Sequence, residues 1–295
     1  MIILQIKNNA GPGNQMFMYA KAYSLAKKYN QKILIVSEIS GYSVRQNILQ
    51  YMSLNRKIVC GMIRLDWTKN QYIFRFFRKI IFDVILKAPF FHQITQPAKE
   101  SRMVQTCGGL KKGHIYVVNG YWECHEYFDE YRQDLIQQFR PNYELDEPVA
   151  QFVDKVSSEN SVVLHIRKGD FQQFGRLIDD DYYARACEKI RSQVGDCKMY
   201  VLTEDDSIAK EWENRYGAER IEFTTEHKYI DEWFAMRQCR HHVIANSTYS
   251  WWSSYLAKHE GTLVIVPSES DYLKAEPEND GVMYKNYYRN DDICV

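Results

Sequence analysis

The sequence predicts an α/β fold made of two doubly wound domains, and two observations carry that expectation. Short apolar runs alternate with stretches of helical periodicity along most of the chain, which is the pattern of parallel sheets covered by helices. An acidic, proline-containing stretch at 141–148 interrupts the alternation near the middle of the 295 residues. A boundary there divides the chain into two ordinary domain lengths, 1–148 and 149–295, expected to face each other across a cleft.

Ile2–Ile6 reads as the first strand. A Gly-Pro-Gly turn follows, then a helix from about Gln15 to Tyr29, with Met16, Tyr19, Ala20, Tyr23 and Ala26 near one face. Ile33–Val36 reads as a second strand. Residues 40–110 show no pattern that orders their elements. Ile115–Val118 is the next strand, with a helical stretch near 126–139. In the second half, strands are expected at Val162–Ile166, Met199–Leu202, Ile221–Phe223, Val243–Ala245 and Leu263–Val266. Helices near 181–193, 207–216, 230–239 and 249–259 separate them. No internal repeat breaks this order.

Composition narrows the function. Lys+Arg 38 balances Asp+Glu 38, which argues against a nucleic-acid binder with a dominant basic surface. The charge is uneven along the chain: residues 1–150 carry 20 Lys/Arg against 12 Asp/Glu, and the remainder 18 against 26. The 7 cysteines (60, 107, 124, 187, 197, 239 and 294) show neither a Cys-x-x-Cys nor a zinc spacing, as in reduced cytosolic proteins. Met1-Ile2-Ile3-Leu4 runs straight into a strand pattern, so no signal peptide is expected and a cytoplasmic location is. The basic, apolar stretch 72–88 reads either as an amphipathic helix packed on its own domain or as a peripheral contact with the inner face of a membrane.

Three stretches could carry chemistry. His165-Ile166-Arg167-Lys168-Gly169-Asp170 follows a buried strand, so two cations stand at its carboxyl edge, where open α/β sheets bind ligands. They suit a diphosphate, which Arg grips with a two-pronged fork; the alternative is an Arg–Asp salt bridge closing a strand end. Asn246-Ser247-Thr248-Tyr249-Ser250-Trp251-Trp252 is a hydroxyl-rich turn into a helix start. It reads as a cradle for phosphate oxygens or as an ordinary Ser/Thr cap with tryptophan in the core. Gly11-Pro12-Gly13-Asn14-Gln15 joins the first strand to the first helix, either as a ligand loop or as a tight turn capped by Asn14. In addition, Thr203-Glu204-Asp205-Asp206 ends a strand with carboxylates fit for a ribose, a guanine, a divalent metal or a helix cap. His241-His242 lacks further metal ligands at suitable spacing and reads as structural.

Taken together, these motifs resemble glycosyltransferase family 11, the α-1,2-fucosyltransferases. Gly11 to Ala20 is similar to that family's Gly-x-Gly-Asn-Gln-Met-Phe-Gln-Tyr-Ala. His165 to Phe171 is similar to His-x-Arg-Arg-Gly-Asp-Tyr, and Asn246 to Trp252 to Asn-Ser-Ser/Thr-Phe-Ser-Trp-Trp. Thr203-Glu204-Asp205 stands where the family often has Ser-Asp-Asp. The likeness spans about residues 2–260 and is weakest over 40–110.

The resemblance implies a GT-B-type architecture of two Rossmann-like domains, with an acceptor-side domain at 1–148 and a GDP-sugar-binding domain at 149–295. It implies inverting transfer of L-fucose from GDP-β-L-fucose to the 2-hydroxyl of a terminal galactose in a glycan, without a metal. The alternatives are another sugar nucleotide or linkage, or a nucleotide-sugar-binding protein without turnover. By this likeness Arg167 contacts the β-phosphate, and Ser247, Thr248, Tyr249 and Ser250 line the phosphate site. Asp205 contacts guanine, His165 holds the donor or orients Arg167, and Asn14 lies near the fucose and the acceptor hydroxyl. Asp170 is a candidate base or an ion-pair partner. Lys168 replaces an arginine of the pattern, keeping the charge but losing the planar fork, and Pro12 replaces an aliphatic residue.

Overall fold

The computed structural model describes residues 1–6, 9–39, 46–66, 88–96, 109–168, 175–279 and 281–295. They form two compact units, Met1–Phe139 and Arg140–Val295.

The first unit holds five parallel strands: β1 (Ile2–Ile6), β2 (Ile33–Ile39), β3 (Val59–Asp66), β4 (Phe91–Thr95) and β5 (Ile115–Asn119), ordered β3-β2-β1-β5-β4. Helix α1 (Pro12–Lys28) crosses between β1 and β2. Its first position is proline, whose fixed φ suits a helix start, and Lys27 and Lys28 complement the carbonyl end. From Met16 to Ala26 every residue is buried, so its surroundings rather than an apolar stripe define it. Phe17 meets Phe128 at 5.9 Å and Tyr19 meets Phe139 at 5.6 Å between ring centroids. The helix expected near 126–139 is broken up. Two 3-10 turns, His125–Tyr127 and Asp129–Tyr131, precede a shorter helix α2 (Arg132–Gln138).

The second unit begins with α3 (Glu147–Ser158), which straddles the boundary expected after residue 148. A six-stranded parallel sheet follows: β6 (Ser161–Ile166), β7 (Lys198–Thr203), β8 (Glu219–Arg220), β9 (His241–Val243), β10 (Val264–Val266) and β11 (Ile293–Cys294), ordered β11-β10-β9-β6-β7-β8. Helices α4 (Asp180–Val194), α5 (Asp206–Tyr216), α6 (Lys228–Gln238), α7 (Thr248–Tyr255), α8 (Glu269–Ala275) and α9 (Gly281–Tyr287) connect or follow the strands. β6 is central and wholly buried. Val162, Leu164 and Ile166 pack with Tyr182, Tyr183 and Ile190 of α4, which explains the unbroken apolar run seen in the sequence.

The second unit holds a sixth strand, β11, beyond the five expected, and two of the expected strands are shifted. β8 is Glu219–Arg220 rather than Ile221–Phe223, although the Ile221 N–H still reaches the Val201 carbonyl at 2.8 Å. β9 stops at Val243, which releases 244–247 as a loop on the sheet's carboxyl side.

In this unit the chain runs β6, β7, β8 toward one edge, then returns to β9 on the other side of β6. The strand order therefore reverses between β6 and β9. In the first unit it reverses between β1 and β5. Crevices outside the carboxyl ends at such reversals are where doubly wound sheets bind ligands.

Among the described residues, six cysteines are free, and no helix is long and apolar enough to cross a membrane. Residues 72–87 of the basic stretch lie outside the described residues.

Candidate active site

Parallel pairing sets Ile166 of β6 beside Thr203 of β7, and Leu164 of β6 beside Val243 of β9. The segments that follow these three strands thus leave one sheet edge at neighbouring positions, roughly 4.8 Å apart per strand. They carry Arg167 and Lys168, then Glu204 and Asp205, then Asn246 and Ser247. The sheet therefore brings together three of the four motifs singled out in the sequence.

Arg167 Nη1 donates to Glu204 Oε1 at 2.6 Å, and Lys168 Nζ donates to both carboxylate oxygens of Asp180 at 2.7 and 3.0 Å. Glu204 is about half exposed and Asp180 more so. Ion pairs this wet contribute little net stability, so either cation exchanges its carboxylate for a phosphate at low cost.

His165 is buried, and among the described residues its Nδ1 has no hydrogen-bond partner. Its ring lies against that of Tyr249, with centroids 5.6 Å apart. Burial, reinforced by the charge of Arg167, pushes its pKa down to about 3, so the ring is neutral in ordinary buffers. This buried nitrogen stands one residue from the end of the central strand, where such sheets open to ligands.

Ser247 caps α7 without a side-chain hydrogen bond to the helix. The Tyr249 hydroxyl donates to the Tyr229 carbonyl, and the Ser250 hydroxyl donates to the Ser247 carbonyl at 3.1 Å. Burial raises the Tyr249 phenol well above its usual range, so it stays protonated. Ser247 and Thr248, with the first N–H groups of α7, are left as the donors least committed to the protein itself. Asn246 plays a structural part: its Nδ2 donates to the Arg176 carbonyl at 3.0 Å and to Glu276 Oε1 at 2.9 Å. Trp251 and Trp252 are both buried, edge to face at 5.0 Å, and join the core.

Asp205 caps α5. Its Oδ1 accepts from the Ser207 N–H at 2.9 Å, the Ser207 hydroxyl at 2.5 Å and the Ile208 N–H at 3.3 Å. The Ser207 hydroxyl, then the Ile208 N–H, hold its carboxyl below the usual range. Glu204 is the residue whose part the sequence did not reveal. The motif was legible, but its pairing with Arg167 needs the strand order.

In the first unit, Gly11 caps α1 and Asn14 lies inside the first turn, half-buried, so the capping alternative for Asn14 is wrong. Gln15 is buried and ties the loop together. Its Nε2 donates to the carbonyls of Ala10 (3.0 Å) and Gln46 (2.9 Å), and its Oε1 accepts the Ile48 N–H at 2.9 Å. Asp170 lies outside the described residues. His241 is structural: its ring meets Asn160 Oδ1 at 3.2 Å and accepts the Leu263 N–H at 3.1 Å. Among the described residues no group of three or more His, Cys, Asp or Glu is placed to hold a metal ion.

Two doubly wound parallel units are the architecture of glycosyltransferases of the GT-B kind. The chain belongs to glycosyl transferase family 11, whose model matches residues 3–287. It is similar to an alpha-1,2-colitosyltransferase of Escherichia coli, 26% identical over 285 residues, which cover 91% of this chain and 92% of that one. It is also similar to the O-antigen biosynthesis glycosyltransferase WbnK of Escherichia coli, 27% identical over 287 residues, covering 88% and 92% of the two chains. Among solved structures, it resembles the NodZ alpha-1,6-fucosyltransferase soaked with GDP-fucose (TM-score 0.54, 13% identity, 92% of this chain and 95% of that one). It also resembles POFUT1 in complex with GDP (TM-score 0.53, 11% identity, 89% and 97%). At these identities the structural likeness establishes the fold.

Proposed function

We propose that the chain transfers L-fucose, with inversion, from GDP-β-L-fucose to the 2-hydroxyl of a terminal galactose. One arrangement carries this reading: Arg167, the unpartnered His165 nitrogen and the Ser247 helix start flank a single point of strand reversal. Family membership and fold neighbours solved with GDP or GDP-fucose support a GDP-sugar as donor. The second unit is assigned to the donor and the first to the acceptor glycan.

The chemistry follows from where charge develops. As the bond from the sugar's anomeric carbon to the diphosphate breaks, negative charge grows on the β-phosphate and the ring becomes oxocarbenium-like. Arg167 and the donors at the start of α7 stabilise that charge more than they stabilise the intact donor, which lowers the barrier. Lys168 adds a second positive charge without a fork. Asp205, anchored by one oxygen, presents its carboxylate to the N1–H and N2–H₂ of guanine. The galactose 2-hydroxyl attacks the face opposite the leaving group, turning β into α. Its proton passes to a base, for which Asp170 is the candidate by the family pattern.

The colitosyltransferase relative favours a second donor, since colitose is L-fucose without its 3-hydroxyl. The deciding experiment offers GDP-fucose, GDP-colitose and GDP-mannose with a β-galactoside acceptor and follows GDP release. Product linkage is read by mass spectrometry and NMR. An α-1,2-fucosylated product supports the proposal. Preference for colitose replaces the donor, and nucleotide binding without any product favours a protein that binds but does not turn over.

A further inference from the structure

The first unit has its own point of strand reversal, between β1 and β5. Leu4 pairs with Val118, so the loop 11–15 after β1 and the turn 120–129 after β5 leave the same sheet edge at neighbouring positions. That is the edge where a doubly wound sheet takes a ligand. The sugar-transfer reading gives this unit the acceptor glycan.

The turn is held in one shape. Gln96, just past β4, accepts the N–H groups of Tyr121 and Trp122 on its Oε1, at 2.8 and 3.0 Å. Gly120 has a φ of +124°, and a Cβ there would meet Gln96 Cβ at 2.5 Å, so only glycine fits. Trp122 is buried with a φ of 61°, a left-handed conformation that bulky residues rarely hold. Such strain persists where the surroundings over-determine it, and it gathers at functional sites. Asn14, Phe17 and Lys21 share one face of α1. Phe17 meets Phe128 at 5.9 Å, and the Lys21 ammonium lies 4.1 Å from the centre of the Tyr127 ring and 4.9 Å from that of Trp122. The turn therefore packs on the helix face that carries Asn14.

What the turn presents is a histidine–carboxylate pair. His125 Nδ1 and Asp129 Oδ2 are 2.6 Å apart. An ionised carboxylate only accepts, so Nδ1 carries the hydrogen and Nε2 keeps its lone pair. His125 is partly exposed and Asp129 about half exposed. Ion pairs this wet contribute little stability, so stability is a poor account of the pair. The other charged groups nearby are Glu126 on the same turn and Lys21 on α1.

We propose that His125 is the base that takes the proton of the acceptor hydroxyl, and that Asp129 positions its ring and stabilises the imidazolium. The inference rests on the sugar-transfer reading and deepens it, because it moves the role of base from Asp170 to a residue of the acceptor's own unit. The acceptor oxygen bonds to the anomeric carbon as that carbon's bond to the diphosphate breaks, and the bonding pair leaves with GDP. The hydroxyl proton passes to Nε2, and the imidazolium returns it to water once the product has left.

The test measures transfer from GDP-L-fucose to a β-galactoside from about pH 5 to 9, beside titration of GDP. A base must be neutral to act, so wild-type kcat falls as pH drops through the histidine range. His125→Gln is expected to lose about a hundredfold or more in kcat together with that acidic limb, while GDP binds as it does to the wild type. His125→Ala is expected to regain part of its transfer when imidazole is added, a response that a lost structural contact does not give. Asp170→Asn is expected to keep the limb. Full transfer by His125→Gln with an unchanged profile, no revival of His125→Ala by imidazole, or loss of the limb in Asp170→Asn instead would each overturn the assignment. If the wild type binds GDP but forms no product, the sugar-transfer reading itself fails, and the base assignment falls with it.

Discussion

Arg167 donates to Glu204 over 2.6 Å, so the cation assigned to the leaving diphosphate is held by a carboxylate from the end of the neighbouring strand. The pair forms because β6 and β7 are adjacent and in register, Ile166 beside Thr203. Glu204 follows β7 on one side of β6, and the Ser247 end of α7 follows β9 on the other.

Arg167→Ala is expected to lose at least about a hundredfold in kcat, the usual cost of removing a main donor to developing charge. Its thermal unfolding is expected to stay close to that of the wild type, because a pair with so exposed a carboxylate adds little stability. Steady-state kinetics beside a melting curve checks both. A variant that keeps full turnover overturns the role of Arg167.

Glu204→Gln separates two parts that Glu204 could play. Phosphate must draw Arg167 away from Glu204, and freeing the cation is worth up to ~1 kcal/mol, so GDP is expected to bind up to about fivefold more tightly. Titration of GDP measures it. Weaker binding would instead make Glu204 the residue that orients Arg167.

Asp205→Ala removes the cap of α5 along with the proposed guanine contact. Both a lower melting temperature and a loss of preference for GDP over ADP are expected. Competition between the two nucleotides is the readout a lost cap does not move. Unchanged preference would reduce Asp205 to its capping role.

His242 supplies a pH prediction away from the site. It is buried on β9, and burial, then the neighbouring His241, push its pKa down to about 3. The Cys239 carbonyl favours the charged form slightly without reversing that shift. The unfolded chain takes up this proton near pH 6.5 and the folded chain only near 3. Its neutral burial therefore costs no stability above about pH 6.5, and costs progressively more as pH falls toward 3. His242→Leu is expected to flatten the loss of stability between pH 7 and 5, by up to ~1.4 kcal/mol per pH unit. Urea unfolding at both pH values measures the slope, and parallel slopes in wild type and variant would contradict the prediction.

What could be read from the sequence follows physical lines. Central strands such as β6, with Val162, Val163, Leu164 and Ile166, are mostly apolar because both faces are covered, and they were legible. β3 and β4 lie at the two edges of their sheet, where Arg64, His92 and Gln93 interrupt the apolar pattern, and the stretch that holds them could not be ordered. The helix near 126–139 was read too long because its apolar positions face α1 from 3-10 turns as well as from a helix. Arg167, Asp205 and Ser247 were visible as strand-end motifs. The partners of Arg167 and Gln15 depend on contacts distant in sequence that no local pattern encodes.

The most direct measurement is a crystal structure of the chain with GDP bound. The account predicts the Arg167 guanidinium at about 2.7–2.9 Å from a β-phosphate oxygen, released from Glu204, with the Ser247 end of α7 on the same phosphate. A complex in which Arg167 still holds Glu204 or faces open water, with both phosphates elsewhere, would contradict it.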